Sequence, residues 1–218
     1  MNYIPALGYD WLTPLYDPVV RLTSREAAFK RALVEQSRPA AGQQILDLAC
    51  GTGTLALLLK GAEPQTDVFG IDGDPKILKI AAAKANNANA DIRFDEAMSF
   101  DLPYADASFD RVFSSLFFHH LTWEKKMKTL EECLRVLRIG GELHVADWGL
   151  PANPMMRIAS GVIRLLDGAE TTSDSFEGRL PTLIRDVGFE RVEETNYYNT
   201  LFGTIRLHRA RKPWRSSG

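Results

Sequence analysis

Cysteine is scarce in this sequence: Cys50 and Cys133 are the two in 218 residues. A dense disulfide framework is therefore excluded, and the count suits a reducing, cytoplasmic setting. Charge of one sign is also missing. Lys and Arg number 26 against 28 Asp and Glu, a net charge of −2. Nothing pulls the whole molecule toward nucleic acid or an anionic membrane, so no nucleic-acid partner is expected, while contact with a membrane surface stays open. No run approaches the roughly 20 apolar residues that a spanning helix needs. Met1–Leu7 has neither a basic start nor a long apolar run, so it does not read as a signal peptide. Internal repeats and low-complexity segments are absent, and no metal site is expected. What remains is the composition of an ordinary globular protein, 45% apolar and 25% charged, of a length that suits one domain.

Four stretches divide the chain. Residues 1–38 are rich in aromatics and end in a helical pattern over Ser24–Ser37, with Ser24 as N-cap and Glu26 in the first turn. Residues 43–148 alternate short strands with helices. Gln44–Leu48, Val68–Asp72, Ile92–Phe94, Phe109–Ser115 and Glu142–Ala146 read as strands; Leu55–Lys60, Pro75–Asn86 and Trp123–Leu137 read as helices. Residues 149–178 break the rhythm with an apolar helix pattern over Met155–Leu166 and a polar loop. Residues 179–209 give a helix, Leu180–Val187, stopped by Gly188, then two strands, Arg191–Tyr198 and Thr204–His208, joined tightly enough to form an antiparallel pair at the sheet edge. Regular strand–helix alternation predicts a mostly parallel α/β sheet with helices on both faces.

The most informative run is Ile45-Leu46-Asp47-Leu48-Ala49-Cys50-Gly51-Thr52-Gly53-Thr54-Leu55-Ala56. A strand enters a glycine turn and a helix begins at once, the place where open α/β sheets bind ligands. Gly-x-Gly alone also fits a nicotinamide-dependent dehydrogenase. Asp47, just before the turn, would repel a pyrophosphate and suits a cation, and no basic residue lies close by in sequence to hold phosphates. The next strand ends on Asp72, where a carboxylate can accept bonds from both ribose hydroxyls of an adenosyl group. Asp74-Pro75 reads as a helix cap; for Asp72 capping is the alternative to ligand binding.

With these residues in hand, the chain resembles the class I S-adenosylmethionine-dependent methyltransferases, and within them the ubiquinone and menaquinone C-methyltransferase branch. Leu102-Pro103-Tyr104-Ala105-Asp106-Ala107-Ser108-Phe109-Asp110 resembles the family's stretch before the fourth strand. Arg135-Val136-Leu137-Arg138-Ile139-Gly140-Gly141 resembles its glycine turn before the fifth, with Ile139 in place of the usual proline. The resemblance implies a Rossmann-like seven-stranded sheet and S-adenosylmethionine as cofactor. It implies that Gly51 and Gly53 line the methionine and ribose, that Asp47 helps hold the amino group of the cofactor, that Asp72 holds the ribose, and that the adjacent Gly73 is also cofactor-binding. Ala97 and Met98 would enclose adenine, where many members carry Asp or Asn in place of Met98, leaving a thioether to pack on the ring. Ser114 and Ser115 would lie beside the sulfonium. Leu15-Tyr16-Asp17 resembles the family's lid signature, so Tyr16 is expected over the cofactor, with Tyr9 and Trp11 nearby offering cation–π contact.

Two histidines, His119 and His120, follow the fourth strand on the side that faces the transferred methyl in this fold. Either can act as a base if the acceptor must lose a proton, with His120 favoured, or both can simply pack and solvate the loop. Asp147, at the end of the fifth strand, either points toward the substrate side or serves as a cap or a structural hydrogen-bonding group. The apolar Met155–Leu166 pattern fits an acyl or prenyl pocket, a helix dipping into a membrane surface, or equally a helix packed on the sheet domain; with the branch resemblance it favours an apolar acceptor among quinone precursors, phospholipids and secondary metabolites. A dehydrogenase, a non-catalytic S-adenosylmethionine-binding partner protein, and a methyltransferase of protein or RNA are the competing readings.

Overall fold

The computed structural model describes residues 26–157, 178–201 and 203–214. Tyr9, Trp11 and Tyr16, expected in a lid, and all but the start of the helix expected over Met155–Leu166 lie outside these residues. The elements are α1 (Glu26–Ser37), β1 (Gln44–Leu48), α2 (Thr54–Ala62), β2 (Asp67–Asp72), α3 (Pro75–Asn87), β3 (Ile92–Glu96), β4 (Phe109–Ser115), a 3₁₀ turn (Phe118–His120), α4 (Trp123–Val136), β5 (Leu137–Trp148), α5 (Leu180–Asp186), β6 (Glu190–Asn199) and β7 (Thr204–Arg211).

Seven strands form one sheet in the order β3-β2-β1-β4-β5-β7-β6. The first five are parallel. β7 runs against both β5 and β6, one place in from the edge. The order reverses between β1 and β4, so the connections leaving these two strands diverge and open a crevice above their carboxyl ends.

Central strands of such a sheet are covered on both faces and so are apolar along their whole length. Leu46, Leu48, Val112, Leu143 and Val145 face Leu130 and Cys133 of α4 and Leu183 and Ile184 of α5. Ile45, Phe113 and Ala146, on the alternate positions, face Phe29 and Leu33 of α1 and Leu55 and Leu59 of α2. Each fully buried leucine or phenylalanine contributes roughly 1.5–3 kcal/mol. Together the two layers fix the height of every strand end in the crevice.

The helix boundaries have local causes. The Asp74 carboxylate accepts the N–H of Lys76 at 2.8 Å and Pro75 occupies the first turn, starting α3. Thr122 caps α4, and Gly188, at φ +111°, follows α5. One expectation needs correcting. The predicted glycine turn before the fifth strand is a bulge inside β5, which begins at Leu137: Leu137 pairs with Phe109, and the ladder resumes at Glu142 opposite Arg111. The cause is distant in sequence. Gly140 N–H bonds the carbonyl of Lys212 and Lys212 N–H bonds that of Gly141, so the carboxyl-terminal strand extends the ladder around the glycines.

Arg135, on the last turn of α4, organises the segment that leads into β4. Its guanidinium bonds both oxygens of Glu132 (2.7 and 2.8 Å), the carbonyls of Leu102 and Tyr104 (3.1 and 2.7 Å) and the carboxylate of Asp106 (2.9 Å).

Candidate active site

The glycine turn joins β1 to α2 at the floor of the crevice. Ala49, Gly51 and Gly53 all take positive φ, +54°, +54° and +73°. Cys50 N–H bonds the Ile71 carbonyl (2.8 Å) and Gly53 N–H closes on the Cys50 carbonyl (3.0 Å), which draws the turn back over β1 and β2. Glycine is required at Gly53 for space as well as angle. An added Cβ would lie 3.1 Å from the Ala81 Cβ and 3.2 Å from the Phe94 ring.

Asp47 is 1% exposed. The N–H of Ala56 bonds its carboxylate, but Oδ2 is buried with no hydrogen-bond partner. Burial pushes its carboxyl up to about 7, against the opposing pull of Lys30 and the Ala56 N–H. On the neighbouring strand the Oγ atoms of Ser114 and Ser115, at the end of β4, are likewise buried without partners. A buried carboxylate oxygen left unbonded costs several kcal/mol in isolation. Three such atoms at the carboxyl ends of adjacent strands fit a ligand that brings its own donors, and the amino group of a methionine moiety is one.

Asp72 closes the other half of the turn. Its Oδ2 accepts the N–H of Gly51 and its Oδ1 that of Asp74, both at 3.0 Å. Burial raises its pKa, and the N–H groups of Asp74, Gly51 and Gly73 oppose the rise. Capping and ligand binding are not exclusive here: each oxygen keeps a second lone pair for a ribose hydroxyl. Gly73 faces the thioether of Met98, whose Sδ lies 3.1 Å from where a Gly73 Cβ would stand. Ala97 N–H bonds the Asp72 carbonyl (3.2 Å), and Met98 bridges to Asp101. Asp72, Gly73, Ala97 and Met98 thus form one wall of the crevice.

The expectation that no base stands near the turn fails in three dimensions. Lys84 of α3 reaches the hydroxyls of Thr52 (3.0 Å) and Thr54 (2.9 Å). Lys30 of α1 is near enough to act on Asp47 electrostatically. Lys30 arrives from α1, packed on α2, and Lys84 from α3, packed on β2 and β3, and nothing in the local sequence announces them. Cys50, beside the turn, is inert. Burial, then the charges of Asp47 and Asp72, push its thiol far above the ordinary range.

On the opposite wall, the two histidines are not equivalent. His119 is buried, and its Nδ1 lies 2.6 Å from Oδ1 of Asp147. Asp147 also accepts the N–H groups of Phe117 (3.2 Å), His119 (3.3 Å) and Trp148 (2.7 Å). Burial opposes its charge, but His119 and these donors outweigh burial and hold its pKa below the usual value. His120 projects outward, with its ring 3.9 Å from that of His119. Desolvation, then the neighbouring His119, lower its pKa, and more than a third of the residue faces solvent. The strand-end partner therefore belongs to His119, not to the favoured His120.

A reversal point in a mostly parallel sheet, a glycine turn preceded by a buried acid and a second acid ending β2 define a nucleoside-binding α/β fold. Residues 45–141 match the methyltransferase domain family. The chain is 38% identical over 145 residues to demethylmenaquinone methyltransferase of Thermus thermophilus, covering 66% of this chain and 65% of that protein, so it spans slightly less than two thirds of that relative. It is 30% identical over 206 residues to ubiquinone/menaquinone biosynthesis C-methyltransferase UbiE of Pseudomonas fluorescens, covering 85% of this chain and 78% of that protein. The chain belongs to the class I S-adenosylmethionine-dependent methyltransferases, in the quinone C-methyltransferase branch. The fold itself is shared with the YcgJ protein of Bacillus subtilis, with a TM-score of 0.71 at 16% identity over 85% of this chain and 99% of that one.

Proposed function

We propose that this chain transfers the methyl group of S-adenosylmethionine to a ring carbon of a reduced quinone precursor. The observation that carries the reading is the buried, unbonded Oδ2 of Asp47 near the end of β1, with the buried, unbonded hydroxyls of Ser114 and Ser115 at the end of the neighbouring β4. This cradle suits a cationic amino acid moiety and would repel a pyrophosphate. The acceptor class comes from the relatives, whose names refer to demethylmenaquinone and to ubiquinone and menaquinone biosynthesis.

When bound, S-adenosylmethionine supplies an activated methyl whose C–S bonding pair leaves with sulfur. The chain's own residues bind and orient. Asp47, with the backbone of Gly51 and Gly53, would hold the amino acid end; Asp72 and Gly73 the ribose; Ala97 and Met98 the adenine; Ser114 and Ser115 the region of the sulfonium. Tyr16 would close over them. A cytoplasmic site of action accords with the unpaired Cys50 and Cys133. Peripheral contact with a membrane would bring an apolar acceptor to residues 155–166; among the described residues no helix is long and apolar enough to cross one.

The test is a transfer assay with methyl-labelled S-adenosylmethionine and the hydroquinone form of a short-tailed demethylmenaquinone. Label in the organic phase, on carbon by mass spectrometry, is expected. Label confined to polar acceptors in a cell extract would sink the quinone assignment.

A further inference from the structure

Asp147 ties together everything that follows β4. One carboxylate, at the end of β5, receives three backbone N–H groups and one imidazole. Its negative charge is thus held in place by groups that cannot leave without unfolding the turn. Beside an ionised carboxylate, the imidazole places its proton on the near nitrogen. Nδ1 of His119 is then the donor to Asp147, and Nε2, on the opposite edge of the ring, carries the lone pair. Among the described residues no group bonds that Nε2. Its neighbour is His120, whose ring centroid is 3.9 Å away and which opens to solvent.

β4 flanks the reversal point on the side away from Asp72, and β5 lies next to it. The dyad therefore stands on the acceptor wall of the crevice, opposite the residues assigned to the nucleoside. We propose that His119, held by Asp147, is the base that deprotonates the methyl acceptor, and that His120 passes the proton on to water. This rests on the quinol reading of the acceptor. In the step, an acceptor O–H bond breaks, its electron pair stays on oxygen and enriches the adjacent ring carbon, and the proton forms an N–H bond at Nε2. After methylation the ring carbon loses its own hydrogen, the oxygen regains a proton, and one proton per methyl leaves through His120. Asp147 is a positioning residue and touches no substrate. The other charged groups around it are Arg206, its register partner on β7, and His208 on the same strand, which Asp147 also influences.

Two measurements test the dyad separately from the acceptor. The first is histidine ¹⁵N NMR of the whole chain with S-adenosylhomocysteine, the His119 signal being assigned through His119→Gln. A neutral ring protonated at Nδ1 is expected, and a ring protonated at Nε2 overturns the proposal whatever the acceptor. The second uses the short-tailed demethylmenaquinol. His119→Gln should lose about 100-fold or more in kcat while calorimetric affinity for S-adenosylhomocysteine stays within about threefold. Turnover close to wild type overturns the base. Asp147→Asn should lower kcat and move the acid limb of its pH profile, with KM for the cofactor nearly kept. His120→Ala should lose less and regain rate with added imidazole; indifference to imidazole removes His120 from the path. If the wild type ignores the quinol, the acceptor reading falls and the NMR result alone decides the dyad.

Discussion

Asp72 Oδ2 accepts the backbone N–H of Gly51 at 3.0 Å, so the acid that ends β2 also holds the glycine turn that ends β1. The floor of the crevice and one of its walls are joined by one carboxylate. Asp72→Ala removes that tie together with the proposed ribose acceptor. We expect cofactor affinity to weaken by about 1.5–3 kcal/mol, the scale of hydrogen bonds to a charged group, by isothermal calorimetry with S-adenosylhomocysteine. Unchanged affinity would refute the assignment.

Asp47 makes the protein less stable at the place proposed to hold the cofactor. Its carboxyl titrates near about 7 when folded and at 3.8 when free. Between those values the native state keeps a proton that the unfolded chain has released. Stability is therefore lost as pH rises from about 4 to about 7, by up to roughly 4 kcal/mol, and is flat above. Asp47→Asn should raise the melting temperature of the ligand-free protein at pH 8, with little gain at pH 4. The wild type should bind cofactor more tightly as pH rises through neutrality, and Asp47→Asn should abolish that tightening. Scanning calorimetry and a pH series of binding isotherms read both; a destabilised Asn variant at pH 8 would contradict the account.

Gly53→Ala forces a side chain into a left-handed conformation costing about 1–2 kcal/mol and against Ala81 and Phe94. Chemical denaturation should show a loss of at least that size, and cofactor binding should fall with it. A variant as stable as wild type would mean that the turn relaxes freely.

Arg135→Ala should cost about 1.5–3 kcal/mol in denaturant unfolding, because several charge-assisted bonds to the 102–106 segment are lost. Arg135→Lys should restore only part, since an ammonium cannot span Glu132, two carbonyls and Asp106 at once. Full rescue by lysine would assign the effect to charge alone.

The sequence carried the sheet well because its signals are local. The apolar runs of β1, β4 and β5 and the cap at Asp74 are all written within a few residues. It placed Asp47, Gly51, Gly53 and Asp72 beside strand ends for the same reason, and there the structure has them; their hold on a nucleoside is what we propose. The fifth strand's start was misread because Gly140-Gly141 spells a turn, and only Lys212, far along the chain, makes it a bulge. Lys84 beside Thr52 was invisible because 32 residues separate them. The choice between His119 and His120 was also undetermined, since two adjacent histidines look alike until Asp147 is seen to reach one of them.

The backbone N–H of Gln44, at the foot of β1, is held by the Asp110 carboxylate at the foot of β4, 66 positions later. β1 gains its neighbour on that side only when β4 exists. During translation, at about 5–20 residues per second, its unpaired flank is exposed for roughly 3–13 s. Ligand cannot shorten that interval, because the crevice that would capture it is made of both strands. Slower synthesis lengthens the exposure, so yield in a recombinant host should depend on chaperone supply more than on added cofactor.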